Sequence, residues 1–89
     1  MKMARRTQKD AQQTRNAIVV LLRNTTWKCG KIERLIVEYL QNRLRKYGVA
    51  HSSIGEMAQY FNFNGKQKSE LFDALKRLEK RYIVEIKGL

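Results

Sequence analysis

Three observations predict a mainly α-helical domain with a short β element. Apolar residues recur at helical spacing along residues 27–47 and again along residues 65–81. The segment "YIVEI" near the C-terminus is dense in strand-forming side chains. The sequence contains no proline, so nothing of that kind interrupts a long helix. Its 89 residues suffice for one domain with a modest core. With 43% hydrophobic and 9% aromatic residues the chain is globular rather than disordered.

Taken in order, residues 1–6, "MKMARR", form a short basic tail with no packing partner in the sequence. A single domain is expected over residues 7–89. Residues 7–24 predict an N-terminal helix capped by Thr7, with Ala11, Thr14, Ile18, Leu21 and Leu22 on one face and Val20 on the other. Its run "AIVVLL" is apolar nearly all round, which one contact surface does not explain, and the same run fits a buried strand. After "NTTW", with Thr25 or Thr26 as cap, Ile32, Ile36, Tyr39, Leu40 and Tyr47 make the stripe of a long core helix over 27–47, flanked by Leu35 and Leu44. Gly30 disfavours an early start and moves it toward Lys31, and Gly48 ends the helix. Arg43 lies within that apolar stripe, so it must snorkel outward or pair with an acid.

Ser53 and Glu56, three residues apart, predict a capping box opening a helix over 54–61 that buries Ile54, Met57, Ala58 and Phe61. "NFNG" is turn chemistry. Asn64 then caps a helix over 65–81, with Leu71, Leu75, Leu78 and Tyr82 on one stripe, and residues 82–87 close the chain as a strand.

Charge narrows the function. Nineteen Lys and Arg against eight Asp and Glu give a net charge of +11, beyond the magnitude of about 2–8 that solubility asks of a small domain. A surplus of one sign implies a polyanionic partner, nucleic acid before membrane. The polar N-terminus does not suit a signal peptide, and the run 17–22 is far shorter than the ~20 residues of a membrane span, so a cytoplasmic protein is expected. Catalysis has little to stand on. His51 and Cys29 are the only residues of their kinds, and helical spacing aligns Cys29 with Ile32 and Ile36 as a small core residue. Glu85 and Lys87 lack a second metal-binding acid nearby, and "NGKQKS" lacks the glycine and strand of a phosphate loop. No enzyme activity, catalytic residue, metal or cofactor is expected.

From "GVAHSS" onward the sequence resembles the winged-helix family, a helix-turn-helix variant. The resemblance rests on Ala58 at the tight helix-packing position, the Leu71/Leu75/Leu78 stripe and "ALKRLEKRYIVEI", and covers roughly residues 32–86. It implies a winged-helix-like domain with an additional N-terminal helix and a truncated wing, because no second wing strand follows residue 86. In such folds the second helix of the pair enters the major groove. Here its outward face carries Lys66, Ser69, Asp73, Arg77 and Lys80, with Lys76 beside them. Ser69, Lys76 and Arg77 suit base edges, whereas Lys66 and Lys80 suit phosphate. Gln67 and Lys68 lie in the first turn, where free backbone amides favour phosphate. Arg5 and Arg6 belong to a basic arm that follows the backbone or enters a minor groove.

The implied function is a double-stranded DNA-binding protein acting as a small transcriptional regulator. A protein-interaction adaptor and an RNA- or ribosome-binding protein are the alternatives. The two-faced N-terminal helix further implies a homodimer through Ile18, Val20, Leu21 and Leu22.

Overall fold

The computed structural model describes residues 15–88. Among them it holds three helices and a three-stranded antiparallel sheet in the order β1 (Ile18–Leu21), α1 (Lys31–Tyr47), β2 (His51–Ser53), α2 (Ile54–Phe61), α3 (Lys66–Lys80) and β3 (Val84–Lys87). The expected fold class, mainly helical with some β, is the one observed.

The N-terminal element is where sequence and structure part. Arg15 and Asn16 are helical, but from Ile18 the chain is a strand, not the second half of a helix. Residues 7–14 of the expected helix, like the tail 1–6, lie outside the described residues. The physical reason is position. β1 is the middle strand, in the order β2-β1-β3, with neighbours hydrogen-bonded on both sides. Ile18, Val19 and Val20 are β-branched and fit that setting better than a helix. Val19 is fully buried opposite Ser52 and Ile86, while Ile18 and Val20 are half-buried on the opposite face. An all-round apolar run therefore reports a strand covered on both edges, not a helix with two partners. The two-faced helix on which the homodimer expectation rested is absent.

The helices follow their stripes. Ile36, Val37, Tyr39 and Leu40 of α1 meet Leu71, Ala74, Leu75 and Leu78 of α3 and Val19 of the sheet in one core, closed by Ile54 and Met57 of α2 and by Ile83 and Val84. α1 begins at Lys31, as Gly30 foretold. The Glu33 carboxylate folds back to accept the Gly30 N–H at 2.8 Å, and a side chain at position 30 would lie only 2.9 Å from that oxygen. Gly48, at φ +75°, ends the helix and donates its N–H to the Leu44 carbonyl. Tyr47 and Leu44, placed on or beside the core stripe by spacing, are exposed because the helix end overhangs the core.

Arg43 pairs with an acid, as its place in the stripe required. Its guanidinium lies 3.9 Å from the Glu56 carboxylate, donates to the His51 carbonyl at 2.8 Å, and stacks near the Tyr39 and Tyr47 rings. The buried Tyr39 hydroxyl is also satisfied, 3.1 Å from Ser52 Oγ. The capping box is present: Ser53 Oγ accepts the Glu56 N–H at 3.0 Å while Glu56 accepts the Ser53 N–H at 3.3 Å. The Ser53 N–H and, at 3.1 Å, the Ser53 hydroxyl donate to the Glu56 carboxylate and, aided by Arg43 and His51, hold it below its ordinary pKa.

Candidate nucleic-acid interface

α3 is presented by the turn that precedes it. Asn62 and Gly65 both adopt left-handed φ values, 58° and 52°, which asparagine and glycine tolerate at little cost. Asn64 does not cap α3 through its side chain; Gly65 holds the cap position, and the Asn64 carbonyl accepts the Gln67 N–H at 3.0 Å. The Lys68 N–H likewise goes to Gly65 O at 3.1 Å. The first-turn amides expected to be free for phosphate are thus already used at Gln67 and Lys68. What remains there for an anion is the pair of lysine side chains, Lys66 and Lys68, both exposed.

With Leu71, Ala74, Leu75 and Leu78 buried, the opposite face of α3 is left to solvent. Lys66, Gln67, Lys68, Ser69, Asp73, Lys76, Arg77 and Lys80 are all exposed, but they do not form one uniform surface. Lys68, Ser69 and Asp73 line a groove of about 500 Å³ between α2 and α3, floored by Ile54, Ala58, Phe63, Leu71 and Phe72. Arg15 lies on the rim of the same groove, packed over Gly55, where an added Cβ would come within 3.2 Å of the Arg15 carbonyl. The Lys76 ammonium sits 5.5 Å from the Phe72 ring centre. Arg77 turns the other way, its Nε 3.9 Å from the carboxylate of Glu33 on α1, which is nine-tenths buried. Arg77 therefore stands beside a buried acid while its own side chain stays 59% exposed. Arg5 and Arg6 lie outside the described residues.

Sequence reasoning missed two groups. Arg15, within the expected N-terminal helix, was given no site role; its seat over Gly55, on the groove that Lys68 also lines, has no local sequence signature. The second group gathers at the other end of α3. Periodicity extrapolated beyond the helix put Tyr82 on the leucine stripe, yet α3 stops at Lys80 and Tyr82 is 74% exposed. Next to it, Arg81 donates to the carbonyls of Trp27 at 2.7 Å and Lys28 at 3.3 Å, and reaches Cys29 Sγ at 3.7 Å. This clamp ties the loop before α1 to the end of α3.

Among the described residues, no group of three or more His, Cys, Asp or Glu side chains is placed to hold a metal ion. No helix there is long and apolar enough to cross a membrane. Compared with known proteins, the chain matches no family model, no curated protein and no solved structure.

Proposed function

We propose that the protein binds double-stranded DNA as a winged-helix-type regulator, laying the outward face of α3 in the major groove. The observation that carries this reading is the division of α3 into a buried apolar face and an exposed face holding Lys66, Lys68, Ser69, Asp73, Lys76 and Lys80, in a chain of net charge +11. The major groove admits one helix of that diameter. Lys66, Lys68 and Lys80 neutralise phosphates, while Ser69, Lys76 and Asp73 face base edges. A carboxylate at Asp73 suits a cytosine amino group. The sheet also favours the reading. The place beside β3 that a second wing strand would fill is taken by β1, so the fold closes its sheet with a strand from the N-terminal side. Arg15, directly ahead of that strand, lines the rim of the groove that Lys68 also lines, which adds a cation beside α3.

Titration of labelled duplex DNA against salt tests this. If about 5–8 phosphates are contacted, log K falls with log[salt] at a slope of roughly −4 to −7. Parallel arms with duplex RNA separate DNA from RNA as the target. A slope near zero would remove the reading.

A further inference from the structure

The exposed aromatic patch at the C-terminal end of α3 points to a second binding surface. Trp27 is 69% exposed and Tyr82 74% exposed. They hang from one stitched platform: the Leu22 and Arg23 amides donate to the Ile83 carbonyl at 2.8 and 3.1 Å, and the Arg81 guanidinium bridges to Trp27 O and Lys28 O. Two residues of this platform, Lys28 and Tyr82, hold left-handed φ values of 55° and 59°. Such a backbone disfavours a tyrosine, and glycine would sit there without strain. A bulky ring is thus kept at a position where the fold gains nothing from it, which directs attention to what the ring meets outside.

The surroundings select the partner. Segments 22–31 and 80–83 hold five cations, Arg23, Lys28, Lys31, Lys80 and Arg81, and no carboxylate. The neighbouring acids are engaged elsewhere: Glu33 with Gly30 and Arg77, and Glu79 with the Ile86 N–H at 3.2 Å. The Lys28 ammonium stands 4.7 Å from the Trp27 ring centre, so positive charge and an indole face are offered together. We infer that Trp27 and Tyr82 form a stacking platform for unpaired bases of a single-stranded nucleic acid, whose phosphates meet Lys28 and Lys80. Base–aromatic stacking within a basic track is how single strands are held without sequence preference. This surface shares only Lys80 with the face proposed for duplex DNA, and its aromatic platform stands or falls without the duplex reading.

Trp27 is the only tryptophan, so its emission reports this patch alone. Titrating the full chain with a ten-nucleotide dT oligomer, with a U oligomer of equal length, and with an abasic sugar-phosphate oligomer tests the inference. Saturable quenching by dT or U, absent with the abasic strand, is expected, and the tighter of the two separates DNA from RNA. By anisotropy of a labelled oligomer, Trp27→Ala and Tyr82→Gly each weaken binding about tenfold or more, while Lys46→Gln, at the exposed C-terminal end of α1, changes it less than about twofold. Tyr82→Gly relaxes a left-handed position, so an unfolded variant does not confuse the result, and circular dichroism verifies this. Unchanged emission with every oligomer, or equal losses for the dT and abasic strands in both variants, would overturn the stacking platform. Unchanged emission would also leave a protein partner as the occupant of the patch.

Discussion

The two ends of α3 carry similar charge but are built differently. At the N-terminal end Lys68, Ser69 and Asp73 line a groove with Arg15 on its rim, Lys66 is exposed at the start of the helix, and the turn beneath them is local, made by Asn62 to Gly65. At the C-terminal end Arg81 and Ile83 are fixed by hydrogen bonds with residues more than fifty positions earlier in the chain. The first end is a solvated face that keeps its side chains free for a ligand. The second is a tied junction whose backbone is strained at Lys28 and Tyr82. The difference teaches that a basic residue on α3 has two possible fates: Lys66 is left for a partner, whereas Arg77 and Arg81 hold the molecule together.

The largest effect separating the ends concerns charge. Replacing Arg15, Lys66 and Lys68 together by glutamine removes three cations from the free end without touching the core. Under the proposed duplex binding the salt slope becomes shallower by about 3 units and affinity near 0.1 M salt falls by roughly two to three orders of magnitude. The urea midpoint stays where it was, since exposed substitutions away from special features move stability little. A triple variant that binds duplex DNA as tightly as the parent would place the interface elsewhere.

The tied end answers in stability instead. Arg81→Ala removes the donor to Trp27 O, Lys28 O and Cys29 Sγ at once. Hydrogen bonds from charged groups contribute about 1.5–3 kcal/mol, and two carbonyl acceptors in a solvent-accessible loop place the loss near the lower end, about 1–2 kcal/mol. Chemical denaturation measures it. An unchanged midpoint would show that the loop is held by the Leu22 and Arg23 amides alone.

How much of this was legible in the sequence follows the same division. Wherever the determinant is local, the residues announced it: the Ser53–Glu56 box, Gly48 at the end of α1, the start at Lys31, the leucine stripe of α3 and the left-handed turn through Asn62 and Gly65. Even the fate of Arg43 was set by its place in an apolar stripe, although the partner, Glu56, was not. The N-terminal strand stood only as the alternative to a helix because "AIVVLL" is equally apolar in either period, and only its neighbours, β2 and β3, decide. The Glu33–Arg77 pair and the Arg81 clamp join helix ends far apart in sequence, so no spacing signals them. Tyr82 was misplaced because a helical period was carried two residues past the end of its helix.

Two single substitutions of smaller effect sharpen the contrast. Arg77→Ala leaves Glu33 buried with only the Gly30 amide, at a cost of about 1 kcal/mol, reduced from the usual value for a buried pair because Arg77 itself is largely exposed. Under the duplex reading, its base preference stays that of the parent, measurable by competition between operator variants. Tyr82→Gly moves the other way and stabilises by about 1 kcal/mol, through relief of the left-handed tyrosine. A loss of stability there would mean that the ring packs usefully despite its exposure.

The smallest effect is a pH dependence confined to the side of the molecule that supports the free end. Glu56 begins α2 and is the acid of the capping box, with its pKa lowered chiefly by the backbone N–H and side chain of Ser53, then by Arg43 and His51. A depressed carboxyl contributes stability that is present above its unfolded value and disappears as pH falls through the folded one. Acidification below the ordinary value of 4.5 therefore loosens the start of α2, and with it the seat of the turn leading into α3. The Arg81 clamp uses backbone carbonyls and carries no carboxylate, so it lacks this sensitivity. Amide exchange followed from pH 6 to pH 3, corrected for intrinsic rates, should show protection lost first at residues 54–58 and later at residues 81–83. Glu56→Gln removes the ionisable group, so its stability varies less over that range than the parent's. Equal pH dependence of the variant and the parent would mean that the capping box gains nothing from the carboxylate charge.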